Sequence, residues 1–427
     1  MVDHFLNWSS VATSESEARD PDLEKIYNSL HDGQERFPPE AKALVAPITK
    51  DVSTSLYTVA LNTDKQFVLD LAGPLLWFPC PPKHPTVPCN STACATAGAF
   101  HPPGCPRIAA INKQPCTCTA YPVNPVTGMC SSDDLTFTSV TLSSTDGKNP
   151  TTAVYVPKVF SSCAPKGLLS SLPAAAVGVA GLARSGLAVP SQLFSKLYLK
   201  KQFAICLPSS GAAPGAAFFG TEPFYFLAAP PVDVTARLTY TTLLSNPRNP
   251  AYHLEVKGLA VNREAVPFLS RMLEFDSLGH GGVMISTASP YTTLTSHIYR
   301  PFLKAFAAAT KAIPRAPKVK PFGLCLNSTA LGSTRVGYGV PQIDVMLAGG
   351  RNWTIFGANS LKQVDKDTAC LAFVDGGPKA EQAMVIGGYQ LENSFLLFDL
   401  ARSRLGFLST LLGIMTTCSN FNFTVKA

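Results

Sequence analysis

Twelve cysteines constrain this chain more than any other feature of its sequence. They stand at 80, 89, 94, 105, 116, 118, 130, 163, 206, 325, 370 and 418, an even set that allows six bridges. Structural zinc needs paired Cys-x2-Cys units or cysteines close to histidines. The one tight spacing is Cys116-Thr117-Cys118, without a matching second pair, and the seven histidines (4, 32, 84, 101, 253, 280, 297) are scattered. No metal or other cofactor is expected. The run from Cys80 to Cys130 is rich in Pro, Gly and Asn, and a loop-rich stretch of that kind needs staples. Disulfides persist in oxidising compartments, so the count points to an extracellular protein. Asn-x-Ser/Thr sequons at Asn7, Asn90, Asn327, Asn352 and Asn422 agree with that route, and Asn90, Asn327, Asn352 and Asn422 are glycosylation candidates. The first residues (MVDHFLNWSSVATSESEA) lack the apolar run of about 7 to 15 residues that a signal peptide needs. The cysteines therefore favour a truncated or mis-assigned start. Residues 1–43 read as a polar, weakly structured extension, with a short helix near 23–30.

Composition narrows the class. Hydrophobic residues make up 46% and charged residues 15%, which excludes a disordered chain. The 36 prolines and 30 glycines follow no fixed period, which excludes a collagen-like one. The longest uncharged apolar stretches, such as 168–182, are broken by Ser, Pro and Gly, so no membrane-spanning helix is expected. A net charge of +7 spread over 427 residues does not make a nucleic-acid protein. The loose basic group Lys311, Arg315, Lys318 and Lys320 reads as a solvated helix end and loop. A chain this long needs about two or three domains, or one bilobed domain.

Short segments with period-two alternation, set off by Gly, Pro, Asn or Asp, dominate from Val45 onward. Strands are predicted over 55–61, 66–77, 135–142, 151–160, 201–207, 216–220, 252–261, 281–287, 343–347, 352–357, 369–375, 383–390 and 394–400. Helical spacing of Ile298, Phe302, Phe306 and Ala309 predicts a helix over 296–313. Pro190 is placed to open a second helix. Trp77 and Trp353 read as core aromatics on strands. An internal repeat is visible. Phe67–Ala72 and Val283–Ala288 each set an apolar run before a small turn, and each is followed later by an apolar-Gly element, at 177–182 and 384–388. The reading is an all-β chain of two similar lobes, 44–232 and 233–427, facing a cleft.

At these residues the chain resembles the pepsin-like aspartic peptidases. More narrowly, it resembles their plant branch of TAXI-type endoxylanase inhibitors, carrot-type extracellular dermal glycoproteins and basic globulins. The resemblance runs from about Leu44 to Cys418. It is carried by 46–59, 67–77, 118–130, 178–193, 281–294, 298–306, 385–407 and the cysteine count. It implies a bilobed pepsin-like fold with few short helices. It also implies bridges Cys206–Cys418 across the lobes and Cys325–Cys370 in the second lobe, with Cys80–Cys163 and Cys118–Cys130 in the first.

An aspartic peptidase works with two carboxylates about 3 Å apart that share one proton, each in an Asp-Thr/Ser-Gly turn. The matching turns here are Asp70-Leu71-Ala72 and Ser286-Thr287-Ala288. Asp70 is retained and the second acid is Ser286, whose hydroxyl cannot share a proton in this way. The stretch matching the flap is Tyr121-Pro122-Val123-Asn124-Pro125, without the Tyr-Gly of active members. No catalytic residues are expected. Asp70 and Ser286 read as residues that hold turn geometry.

The resemblance implies a non-proteolytic, secreted, monomeric inhibitor whose partner is a microbial endoxylanase, xyloglucanase or related glycoside hydrolase. No nucleic acid or membrane partner is expected. Xylanase-inhibiting members use a His in the loop before the last cysteine. The matching loop, 409–418, has none, and offers Leu411, Leu412, Ile414 and Met415 instead. The alternatives are an active aspartic endopeptidase and an apoplastic storage or ligand-binding globulin.

Overall fold

A computed structural model describes residues 42–106, 116–221, 223–228 and 230–424. The expected N-terminal extension, its short helix and Asn7 lie outside the described residues, apart from Lys42 and Ala43.

Six strands form the platform on which everything else is mounted. In spatial order they are Ala43–Lys50, Gly215–Gly220, Gln202–Cys206, Phe395–Asp399, Arg404–Leu408 and Thr239–Asn246, all antiparallel. The first three come from the N-terminal half and the last three from the C-terminal half. Successive side chains of a strand point to opposite faces, and here both faces are apolar. Phe203, Ile205, Phe219 and Phe398 enter the main core, while Ala204, Phe218 and Phe395 enter a second cluster with Phe224, Phe226 and Phe421. Phe203 and Phe398, from the two halves, stack with ring centroids 4.6 Å apart. The Cys206–Cys418 bridge lies in the second cluster.

The internal repeat is realised as one motif built twice. Lys65–Asp70 pairs in parallel with Ala176–Gly181. Leu76–Phe78 returns antiparallel to that partner and parallel to Pro150–Cys163. In the other half, Val283–Ile285 pairs in parallel with Met384–Ile386. Thr292–Leu294 returns antiparallel to that partner and parallel to Phe373–Asp375. Each motif has a glycine where two backbones nearly touch. A Cβ on Gly181 would lie 2.4 Å from Gly73 O, and one on Gly387 would lie 2.4 Å from Tyr291 O. No side chain fits there.

Most predicted strands are present with shifted ends. The run 66–77 breaks into Lys65–Asp70 and Leu76–Phe78, because the turn after Asp70 must leave the sheet. The run 252–261 likewise divides into Asn249–Leu254 and Val256–Val261. The helix expected over 296–313 is Ser296–Ala309 and contains Pro301 in its second turn, and the Pro190 helix is Val189–Leu197.

The structure pairs Cys80–Cys163, Cys206–Cys418 and Cys325–Cys370. The expected Cys118–Cys130 pairing does not form. An antiparallel bridge between Pro88 and Thr117 sets Cys89 opposite Cys116, and these two bond. Cys118, two residues on, meets Cys94 of the helix Thr92–Gly98. Cys130 is left across from Cys105.

A buried polar cluster joins the two halves beside the platform. Lys50 Nζ reaches Glu392 Oε1 at 2.5 Å and Tyr57 Oη donates to the same oxygen at 2.6 Å. Lys50 and Tyr57 are 7% and 1% exposed.

Candidate functional site

Asp70 and Ser286 end the two repeated strand motifs and line one cavity of about 250 Å³. They are built into their turns in the same way. The Ala72 N–H donates to Asp70 Oδ1 at 2.9 Å, and the Ala288 N–H donates to Ser286 Oγ at 3.2 Å. Each side chain thus caps the backbone two residues on, as short polar side chains do in turns. A second N–H, from Ser289, also reaches Ser286 Oγ at 3.2 Å. Both residues are buried, each 6% exposed.

The two turns are locked to each other from one side. Thr287 Oγ1 donates to Leu69 O at 2.5 Å and accepts from the Leu71 N–H at 3.3 Å. The residue symmetric to Thr287 is Leu71, which has no hydroxyl and is fully buried in the main core. One turn supplies a hydroxyl grip and the other a hydrophobic anchor.

Burial out of water pushes the Asp70 carboxyl up to about 6, although the N–H groups of Ala72 and Gly73 pull the other way. The other described residues lining the cavity are Ala72, Gly73, Pro74, Leu75, Trp77, Tyr121, Pro122, Val123, Pro125, Val179, Met284, Ser286 and Ala288. None of them is a carboxylate.

The flap stretch closes over this cavity and is tied down. Trp77 Nε1 donates to Val123 O at 3.0 Å. The Asn124 amide is fully buried. Its Nδ2 donates to Leu168 O and Ser170 O, and its Oδ1 accepts from the N–H groups of Val126 and Thr127. Sequence reasoning missed this anchor. Its signal was the Asn-Pro step, which marks a turn.

Other expected residues fall elsewhere. Leu411 is corrected: it is fully buried against the second cluster and cannot serve as a loop tip. Its N–H bonds to Asn393 O, which draws the side chain inward. Leu412 is half-buried, Ile414 packs against the same cluster, and Met415 is 67% exposed with a left-handed φ of 59°. Asn90 and Asn352 are exposed. Asn327 and Asn422 are half-buried, each accepting from the hydroxyl of the Thr two residues on in its own sequon. His84 lies near Cys80 and Cys163, but those sulfurs are bonded to each other and do not ligate metal. Trp77 and Trp353 are buried core residues.

Two parallel-paired strand ends meeting at one cleft, above a sheet shared by both halves, define the bilobed pepsin-like fold. Family models described as xylanase inhibitor N-terminal and xylanase inhibitor C-terminal match residues 56–221 and 251–409. The chain belongs to this xylanase inhibitor family. It is 45% identical over 400 residues to chitinase CLP of Oryza sativa subsp. japonica, covering 90% of this chain and 92% of that relative. It is 37% identical over 408 residues to the probable aspartic proteinase GIP2 of Nicotiana benthamiana, covering 90% and 92%. Among solved structures, that of edgp shares 37% identity, covers 92% of this chain and 100% of that one, and superposes with a TM-score of 0.84. Basic 7S globulin from soybean gives 29%, 89%, 98% and 0.74.

Proposed function

We propose that this protein is a non-proteolytic pepsin-fold inhibitor of a microbial cell-wall glycoside hydrolase, an endoxylanase or xyloglucanase, acting outside the plant cell. One observation carries the loss of peptidase chemistry: Ser286 stands where the lobe symmetry calls for the second carboxylate. A lone Asp70 has no partner with which to share a proton, and groups that act as a unit lose most of their catalysis when one is removed. The xylanase inhibitor description of both halves supports the choice of target. So does the net charge of +7, because a glycanase cleft presents two acidic groups. The contact loop is Leu412, Ile414 and Met415, with Met415 at its tip. The lobes divide at residues 232 and 233, between the two matched segments. Six disulfides support an extracellular location.

The test is a panel of fungal and bacterial xylanases and xyloglucanases, run beside a peptidase assay at pH 3 to 5 with and without pepstatin. Saturable inhibition of at least one glycanase, weakened by Met415→Asp, is expected, with no pepstatin-sensitive cleavage. Pepstatin-sensitive cleavage overturns the reading in favour of an endopeptidase. Inhibition of no panel member favours a storage or ligand-binding globulin.

The name of the rice relative favours a second reading, hydrolysis of chitin. Substrate-assisted glycosidases let the sugar's own 2-acetamido oxygen attack C1. Asp70, protonated in mild acid, would donate its proton to the glycosidic oxygen as its bond to C1 breaks, and the resulting carboxylate would take a proton from the water that adds to C1, reopens the ring and leaves the new reducing end. Release of reducing ends from chitin oligosaccharides that disappears in Asp70→Asn would establish it. Equal release by both proteins, or none, removes it.

A further inference from the structure

Beyond Gly181 the chain passes Leu182 and Ala183, whose N–H groups bond Asp70 O and Gly73 O, and reaches Arg184. There it borders a second cavity of about 510 Å³ that shares no lining residue with the Asp70 cleft. Its walls combine two kinds of surface. Phe194 and Leu400 are apolar, while Arg184, Lys201 and three serines are cationic or hydroxylic. No carboxylate is among the described lining residues.

Arg184 is the unusual member. Nε and Nη2 of its guanidinium are buried and meet no hydrogen-bond acceptor among the described residues. The ring of Tyr252 lies 5.6 Å from its guanidinium carbon. Asp399, beside Leu400, is already engaged by Arg402 and Arg404. The helix Val189–Leu197, which supplies Ser191, Phe194 and Ser195, starts at Ala188 without a side-chain cap, adding partial positive charge to the same wall. Arg184 as a whole is half-buried, and a partly desolvated cation without a counter-charge among the described residues serves stability less well than an apolar residue of similar size would. The wall is therefore built to meet an anion, and the size and apolar half of the cavity suit a small organic molecule.

We propose that this cavity binds a small amphiphilic oxyanion, a carboxylate or phosphate on an apolar body. Arg184 takes the anionic end, Phe194 and Leu400 take the apolar end, and Lys201 stands at the rim. The proposal does not depend on the glycanase reading, because the two use different residues.

Titration calorimetry of the disulfide-intact protein with phenyl phosphate, benzoate and inorganic phosphate tests it. One-to-one saturation by phenyl phosphate or benzoate is expected, with Kd below about 1 mM. The tighter of the two identifies the anionic group. Inorganic phosphate, lacking the apolar body, binds about tenfold more weakly or worse. Arg184→Met reduces affinity at least about tenfold and Arg184→Lys restores part of it, since a point charge replaces a fork. A purely structural arginine would lower Tm when removed, whereas Arg184→Met is expected to raise it. Should that variant fail to fold, Ser191→Glu places a carboxylate on the same wall and must abolish binding. Absence of saturation by either aromatic anion, unchanged affinity in Arg184→Met or Ser191→Glu, or equal affinity for inorganic phosphate overturns the proposal.

Discussion

Replacing Asp70 by Asn should stabilise this protein at neutral pH and leave it unchanged in acid. The two side chains have the same shape, and the Asn carbonyl oxygen can keep the bond from the Ala72 N–H. They differ in charge. The folded state raises the Asp70 carboxyl from 3.8 to about 6, chiefly by burial. That is about two pKa units, or about 3 kcal/mol between the protonated and ionised forms. A raised pKa means that the folded protein holds the proton more tightly than the unfolded chain does. The stabilisation is complete below about pH 4 and is lost as pH rises toward 6. Above pH 7 the buried charge costs the fold about 3 kcal/mol, and Asn avoids that cost. Urea unfolding with disulfides intact, at pH 4, 5, 6 and 7.5, gives the comparison. Subtracting wild type from Asp70→Asn removes every other titrating group. The difference should be only about 0.5 kcal/mol at pH 4 and about 3 kcal/mol in favour of Asn at pH 7.5. A difference that is flat with pH, or that favours Asp at pH 7.5, would show that hydrogen bonds to the carboxylate outweigh its desolvation, and the account of the cleft given above would be wrong.

Two further outcomes follow from the contacts between the halves. Thr287→Val keeps the shape but leaves Leu69 O and the Leu71 N–H without their partner, and should cost about 1 to 3 kcal/mol in the same unfolding assay; no loss would mean that the grip is incidental. Glu392→Ala strands the buried Lys50 ammonium and should cost about 3 to 5 kcal/mol, most of it recovered in the double variant Lys50→Met with Glu392→Leu. Failure of the double variant to recover would show that the cluster contributes net stability as well as complementarity.

Residues 67–72 and 283–288, with their later partners 177–182 and 384–388, pointed to the duplication, and the family resemblance reinforced it. A repeated apolar and glycine pattern marks repeated segments, so the duplication was legible, whereas the parallel pairing inside each copy was not. That Ser286 answers Asp70 in the repeat was legible too, because it is a matter of residue type and position. Other features were hidden. Alternation cannot say which strands become neighbours, so the six-stranded platform, drawn from segments nearly 200 residues apart, was not visible. Its strands Ala43–Lys50, Thr239–Asn246 and Arg404–Leu408 were missed, the second being half polar. The Cys118–Cys130 expectation failed for a related reason. Spacing limits which cysteines can meet, but the Pro88–Thr117 bridge decides which do.

The amino-acid order by itself determined the class of the chain, its two-fold internal pattern, its even set of cysteines and which residue types stand at 70 and 286. All of these depend on residue identity and local period. Folding alone decided that Leu411 turns inward, that Asn124 pins the flap, that Thr287 grips the opposite turn without a reciprocal grip, and that two guanidinium nitrogens of Arg184 are buried without an acceptor among the described residues. Those outcomes depend on which distant atoms share a few ångströms of space, and the pairing of remote strands sets that distance.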